Sequence, residues 1–592
     1  MVGNSLLVRF LVWRIKHINN KNFVLILSGL IGVVAGVAAV TLKVAVHLIQ
    51  GAVTAHFDYN LANYLYLTYP LTGILLTVLL ARYVLKEKLG HGITDILYSI
   101  SKNSSIIKRS KMYSRMFTSA LTVGFGGSVG LEAPIVVTGS AIGSNVAQFM
   151  HLNYKKRTIL IGCGAAGAIS AIFNSPIAGV IFSIEVILAE VTIAAFIPLL
   201  IASVSGSLIS LILLGDDILF SFHLTDPFTA SDTPYYALLG LVCGLVSYYF
   251  TKTMFTVEDW VGRVKSTTLR AVIGGLGLGL IIFLFPPIYG EGYNTIKAML
   301  AGQDASLLSN SLFFSEFENP LFLILFLLGV MLMKPVATAL TIGSGGSGGV
   351  FAPSLFLGGV TGFVFARMVN YLGVAGIISP ANFALVGMCG VMSGVLHAPL
   401  TAIFLIAEIT SGYTLFVPLM LVSALAYTTS SYFEKYSLYT KKLVEKGDLI
   451  PHDKDRQVLS LIHIEKIIET DLYTIHPLAT VDDLVEIVQK SRRNIFPVVD
   501  ENGVMKGIIT LDDVREIMFD EERRNKVIIK TIMTQPPAYV SSEESMQSVM
   551  NKFEQTGAWN LPVLKNGRYI GFVSKSRIFN AYRTKLIRQQ RE

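Results

Sequence analysis

The segment "GGSVGLEAPIVVTGSAIG" (Gly126 to Gly143) recurs without gaps as "GGSGGVFAPSLFLGGVTG" (Gly345 to Gly362), an offset of 219 residues. Further on, "AIFNSPIAGVIFSIEV" (Ala171 to Val186) recurs as "GVLHAPLTAIFLIAEI" (Gly394 to Ile409), which sets Pro176 on Pro399 and Glu185 on Glu408 at an offset of 223. Two matches in one order at nearly one offset mean a duplicated half. Any fold for this chain must therefore be built twice from the same unit, with glycine-broken segments at corresponding places. In membrane proteins such a pattern points to a site near the bilayer midplane, at the interface of the repeats. The sequence leaves open whether the two halves run in the same or opposite directions.

That the unit lies in a membrane follows from composition. Of 592 residues, 52% are hydrophobic and only 15% charged, far from the balance of a soluble chain of this length. Apolar runs such as "FVLILSGLIGVVAGVAAVTLKVAVHLI" and "LFLILFLLGVMLM" recur from Phe23 onward. Several are long enough to cross a hydrocarbon core of about 30 Å as helices. The shorter, glycine-interrupted ones suit partial helices enclosed by protein. The net charge of +8 comes largely from basic residues at the ends of apolar runs, which argues for a membrane surface and against nucleic acid. Arg9, Arg14, Lys16 and Lys21 before the first span place the N-terminus in the cytoplasm, and no cleavable signal peptide is expected. Cys163, Cys243 and Cys389 are far apart in apolar stretches, without disulfide or metal-ligand spacing, and read as packing residues. No metal site is expected.

Hydrophobicity falls away after Tyr432. From Pro451 onward short β-rich runs alternate with amphipathic segments such as "VDDLVEIVQKSR". Here too there is a repeat: "FPVVDENGVMKGIITLDDV" (Phe496 to Val514) matches "LPVLKNGRYIGFVSKSRI" (Leu561 to Ile578) with a one-residue gap, each copy reading as strand, Asn-Gly turn, strand and helix start. The expected organisation is an N-terminal segment 1–22, a membrane domain 23–445 of two repeats, a linker 446–465, and two small α/β modules at 466–522 and 523–586.

Three glycine-rich loops open helices: "GHGITD" (Gly90 to Asp95), "GLEAP" (Gly130 to Pro134) and "GGVFAP" (Gly348 to Pro353). Such loops expose backbone N–H groups at the positive end of a helix dipole, which suits an anion. Pro134 and Pro353 fit a first helical turn, where a missing N–H costs nothing. If the three ends converge they form an anion site made of backbone, without a full cation that would hold the ion too tightly for passage. Glu132 sits inside "GLEAP", a carboxylate in an apolar region, and intramembrane carboxylates are functional by default. The structural alternative is a helix-capping residue.

The ordered set "GHGIT", "GLEAP", "GGVFAP" and "SLYTKKL" resembles the CLC family of chloride channels and proton-coupled chloride transporters, and the tail resembles its paired CBS modules. The resemblance spans about Phe23 to Leu586. It implies an all-α polytopic membrane domain of duplicated inverted repeats with broken helices, followed by a tandem α/β CBS domain. It also implies a homodimer in lipid with one chloride path per subunit, other small anions being alternative cargo. The setting is a multi-pass protein of the plasma (inner) membrane with cytoplasmic CBS modules.

By this resemblance Glu132 is the gate: ionised it occupies the outer end of the path, protonated it swings aside. His91, Gly92, Gly130, Val350, Phe351 and Tyr439 line the anion, Val350 and Phe351 through backbone N–H groups and Tyr439 through its hydroxyl. His91 stands where the family usually has serine, and Thr94 where it has proline. Imidazole can still donate to chloride or take up a proton. Val186 stands where proton-coupled members carry a second glutamate after Glu185, which points to passive, channel-like conduction. Glu190, one helical turn on, is a candidate substitute acceptor. In the CBS pair, Thr510, Asp513 and Ser574 match positions that hold an adenine nucleotide (ATP, ADP or AMP), whereas Arg577 replaces the second acid; no cofactor is required for conduction. The reading is a chloride-conducting membrane protein and no enzyme. The rivals are a chloride/proton exchanger with a relocated acceptor, a nucleotide-sensing membrane protein with a vestigial anion site, and a fluoride-selective variant.

Overall fold

A computed structural model of the chain describes residues 6–54, 64–87, 92–188, 193–215, 228–303, 307–308, 311–312, 320–373, 377–410, 412–446, 459, 462 and 464–591. It divides into two compact units, Met1–Leu449 and Ile450–Glu592.

The first unit is helical. Among the described residues nine helices are long and apolar enough to cross a bilayer. In order the principal helices are α1 (Leu6–His17), α2 (Asn20–Thr54), α3 (Tyr69–Leu79), α4 (Ile93–Lys102), α5 (Ser114–Gly124), α6 (Glu132–Phe149), α7 (Tyr154–Phe173), α8 (Pro176–Phe182), α9 (Ile193–Leu214), α10 (Thr233–Gly262), α11 (Thr267–Leu284) and α12 (Tyr293–Leu300). They continue with α13 (Pro320–Gly343), α14 (Phe351–Leu372), α15 (Pro380–Leu396), α16 (Pro399–Ile409), α17 (Phe416–Phe433) and α18 (Lys441–Glu445).

The duplication is visible helix by helix. Helices α7 and α15 each end on a left-handed residue, Asn174 (φ 52°) and His397 (φ 54°), and each chain restarts at once on a proline, at α8 and α16. The left-handed cap stops one helix and the proline, preset for a first turn, starts the next. Helices α6 and α14 are buried from their first residues through Ser144 and Val364 respectively. A Cβ at Gly143 would lie 1.9 Å from the carbonyl oxygen of Leu160, and one at Gly362 would lie 1.8 Å from that of Phe383. The glycines that close the two repeated motifs therefore let α6 press on α7 and α14 on α15, backbone against backbone.

The contacts between the halves show how the two are related. Gly130 and Gly349 form an antiparallel bridge, with N–H to O distances of 2.9 and 2.8 Å. The amide of Ser128 donates to the Thr341 hydroxyl (3.2 Å), and that of Ser347 to the Thr122 hydroxyl (3.0 Å). Glu408 accepts from the amides of Ile177 and Ala178 at the start of α8, at 2.9 and 2.8 Å. Glu185 in turn accepts from the amides of Leu400 and Thr401 at the start of α16, at 3.2 and 2.8 Å. Each contact is matched by its image at the repeat offset. The halves are thus related by a two-fold axis, and each half caps the broken helix of the other.

The second unit holds two small sheets. Strands β1 (Ile495–Val499) and β2 (Met505–Thr510) pair antiparallel; β4 (Asn560–Lys565) pairs antiparallel with β5 (Arg568–Ser574) and parallel with the short β3 (Val540–Ser541). The expected Asn-Gly turn holds in the second copy, where Asn566 and Gly567 both have positive φ (51° and 76°) and join the strands directly. It fails in the first. There the connection runs over residues 500–504, with only Gly503 at positive φ, because the Asp500 carboxylate takes the amides of Asn502 (3.0 Å) and Val504 (2.9 Å) and wraps the loop around itself.

Candidate anion-conducting site

Two of the three glycine loops meet face to face. The Gly130–Gly349 bridge brings the start of α6 against the start of α14, so both N-termini open into one place. A Cβ at Gly130 would fall 2.0 Å from Glu132 Oε2 and 2.8 Å from the Ala352 Cβ, which is why only glycine serves there. The third loop arrives through Gly92, the N-cap of α4, at φ 58°. Its place against the Ala133 side chain joins the start of α4 to the first turn of α6. His91 and Glu190 lie outside the described residues.

Glu132 is the first residue of α6 and is 1% exposed. The Tyr293 hydroxyl donates to its Oε1, whereas Oε2 has no hydrogen-bond partner. Val350 is the N-cap of α14 and Phe351 its first residue. The Phe351 ring is packed away between Phe173 and Phe182, with centroids 5.4 and 6.1 Å apart, which leaves its helix-end backbone as the part that faces the loops. Tyr439 is 3% exposed, and its hydroxyl has no partner. Its carbonyl accepts from the Thr94 hydroxyl at 3.0 Å, so the residue in the usual proline position ties α4 to the "SLYTKKL" segment. A cavity of about 30 Å³ lies among Thr94, Ala133, Ser347, Gly349, Val350 and Tyr439, with the Glu258–Lys442 ion pair in its wall. Three helix starts and one tyrosine hydroxyl around such a space can hold a small anion, with the Lys442 charge in the wall paired to Glu258.

Val186 lies in a π-turned segment, Ser183–Leu188, and packs against the core. Its neighbour Glu185 is engaged with the start of α16, where Oε2 also accepts from the Thr401 hydroxyl at 2.6 Å. In the second unit, Thr510 and Asp513 cap the helix turn that begins at Leu511: Asp513 Oδ2 accepts from both the amide and the hydroxyl of Thr510 at 2.8 Å. Ser574 donates to Glu469 and accepts from the Arg577 amide at 3.2 Å.

Three residues around Glu132 escaped the sequence reading: Glu291, Tyr293 and Lys334. A signal was present, since "GEGYNT" (Gly290 to Thr295) repeats "GHGITD" at an offset of 200. The structure makes α12 the counterpart of α4, each opening after a positive-φ glycine, Gly292 (89°) and Gly92 (58°). Lys334, buried in α13, is likewise the image of Arg115 in α5 at the offset of 219. Arg115 pairs with Asp95 of α4 at 3.4 Å.

Inverted helical halves whose glycine loops aim helix N-termini at one buried carboxylate define a class, the broken-helix membrane proteins that move anions. Within that class the chain belongs to the voltage gated chloride channel family, whose model matches residues 72–431; two CBS domains match residues 464–520 and 529–584. It is a multi-pass anion-transport protein of the CLC type. Chloride channel protein CLC-f of Arabidopsis thaliana is 26% identical to it over 632 residues, covering 92% of this chain and 78% of the relative. The H(+)/Cl(-) exchange transporter ClcA of Vibrio cholerae is 27% identical over 416 residues, covering 68% of this chain and 84% of the relative. The crystal structure of a eukaryotic CLC transporter shares the fold at a TM-score of 0.59 and 20% identity, covering 97% of this chain and 99% of that one.

Proposed function

We propose that this protein conducts chloride passively, as a channel-like member of its family, with Glu132 as the gate. The observation that carries the reading is the inner side. Val186 is apolar, and the remaining carboxylate, Glu185, accepts three hydrogen bonds from the start of α16. A proton crossing there without a titratable group or water chain meets the cost of an unpaired charge in low dielectric, several kcal/mol at least.

At the outer side, an ionised Glu132 carboxylate at the head of α6 imitates the anion it displaces and is stabilised by the same N–H groups. Once protonated it loses that advantage, and chloride takes its place beside Val350, Phe351, Gly130 and Gly92. The buried Tyr439 hydroxyl supplies a donor from the other side, in keeping with the rule that buried hydroxyls find an acceptor. His91, outside the described residues, is assigned as a further donor to the anion. The unit works as a homodimer in the plasma membrane, with the CBS pair in the cytoplasm. That pair takes an adenine nucleotide near Thr510, Asp513 and Ser574. Weaker ATP binding by the Asp513→Ala full-length protein supports this assignment, and equal binding removes Asp513 from the site.

The decisive experiment records chloride efflux and proton flux together on reconstituted protein under a chloride gradient. The expected result is chloride movement with little or no uphill proton movement, unchanged in Glu190→Gln. The second reading, chloride/proton exchange, draws on the likeness to a relative named as an exchange transporter. Stoichiometric proton pumping that vanishes in Glu190→Gln would overturn the channel reading in its favour.

A further inference from the structure

We propose that Glu291 and Lys334 act on the gate as a charge pair that sets the pH at which Glu132 opens. The proposal rests on Glu132 being the gate. Glu291 stands between Gly290 and Gly292 in the loop that opens α12, and its Oε1 accepts from the amide of Leu131 at 3.2 Å. Leu131 is the residue before Glu132. A second carboxylate is therefore fastened to the backbone next to the gate, and the gate's own Oε2 is buried without a partner. Two residues further along the same loop, Tyr293 holds Oε1 of the gate. One loop thus grips both the N-cap and the carboxylate of α6.

Lys334 is the counterweight. It comes from the middle of α13, is 0% exposed, and its Nζ donates to the carbonyls of Ile288 (3.3 Å) and Gly290 (3.2 Å), with the Phe356 ring centroid 4.7 Å away. The ammonium is thereby held beneath the Glu291 loop. Among the described residues, the charged and titratable groups that act on Glu291 are Glu132 on α6, Lys334 on α13, Lys43 on α2 and Tyr293 on α12; those that act on Glu132 are Glu291, Tyr293 and Tyr439. Against a gate that must take up a proton to open, a neighbouring carboxylate favours uptake and a neighbouring ammonium opposes it. The two side chains pull in opposite senses, and their balance fixes the threshold. In the other half the corresponding cation, Arg115, pairs with Asp95. The duplicated scaffold thus carries a buried cation in each half, Arg115 beside Asp95 in the first and Lys334 beneath the Glu291 loop in the second, and it is the second that reaches across to Glu132 of the first.

The test is chloride efflux from liposomes holding the full chain, followed from acid to alkaline pH. Glu291→Gln keeps an oxygen for the Leu131 amide and removes the charge, and is expected to move the midpoint of acid activation about one unit or more to lower pH. Lys334→Met should move it to higher pH, and Lys334→Arg should hold it near wild type. Opposite movements cannot come from general disturbance of the loop. Should Lys334→Met fail to fold, Glu291→Gln with Lys334→Arg decides. A wild-type midpoint in Glu291→Gln, or a shift of both charge-removing variants in one direction, overturns the pair. Glu132→Gln separates the two levels of the argument: a flat pH profile there with unmoved midpoints in the other variants rejects the pair and keeps the gate. Steep acid activation persisting in Glu132→Gln rejects both.

Discussion

Replacing Tyr293 by Phe removes a single oxygen beside Glu132, the proposed gate, and nothing else of the ring. The hydroxyl donates to Glu132 Oε1, and the other carboxylate oxygen has no partner, so after the substitution neither oxygen keeps this side-chain donor. A hydrogen bond to a charged group contributes about 1.5–3 kcal/mol, and each 1.4 kcal/mol is about tenfold in an equilibrium. The closed position of the ionised gate should lose that much relative to the open one. Chloride efflux at alkaline pH, where the proposed gating keeps the wild type shut, should then rise by about tenfold or more until it meets the acid-pH ceiling. Efflux at acid pH should stay as it is, because in the proposed gating a protonated Glu132 is already displaced. Tyr293 is buried at the start of α12, where phenylalanine conserves shape, so folding is preserved and a melting curve checks it. The assay is efflux from liposomes at a fixed chloride gradient, at one alkaline and one acid pH. Wild-type efflux at alkaline pH in a normally folded Tyr293→Phe protein refutes the claim that this hydroxyl holds the gate closed.

Three further perturbations test other parts of the structure. Gly130→Ala puts a methyl 2.0 Å from Glu132 Oε2 and 2.8 Å from the Ala352 Cβ, so it should expel the carboxylate and flatten the pH dependence of efflux; an unchanged profile would show that the carboxylate rests elsewhere. Glu408→Ala strips the acceptor from two amides at the start of α8 and should cost about 1–3 kcal/mol in thermal stability, and Glu185→Ala should cost at least as much because the Thr401 hydroxyl is also left behind; melting of the purified variants ranks them. In the C-terminal unit, Arg493 grips Asp471 through two bonds of 3.0 and 2.9 Å and holds its carboxyl below the usual range. A lowered carboxyl stabilises the fold above its unfolded value of about 3.9 and loses that effect as pH falls through the folded value. The pair is largely exposed, so Asp471→Asn should cost less than about 1 kcal/mol at neutral pH and nothing in strong acid, as read by hydrogen exchange in that unit's strands.

Composition, repeat spacing and glycine placement are local properties, and they sufficed for the membrane class, the duplication, the broken helices and the identity of Glu132, Gly130, Val350 and Phe351 as helix-start residues. They carry the signal because burying backbone in lipid requires helices, and because a helix start that faces an anion needs glycine or a free N–H whatever surrounds it. The "GEGYNT" copy of the α4 loop was also present in the residues, though glutamate in place of histidine and tyrosine in place of isoleucine disguise it. Direction, by contrast, is not a local property. Only the folded chain could show that Gly130 pairs antiparallel with Gly349, that Glu185 and Glu408 cap each other's broken helices, and that Thr122 and Thr341 exchange amide partners. For the same reason Tyr293 reaches Glu132 from 161 positions away in the chain, and Lys334 reaches the carbonyls of Ile288 and Gly290 from more than forty. Spacing along the chain predicts which side chains share a helix face. Which distant backbone groups and charges share one buried space is decided by packing, because in low dielectric each of them must find its partner wherever the fold brings one.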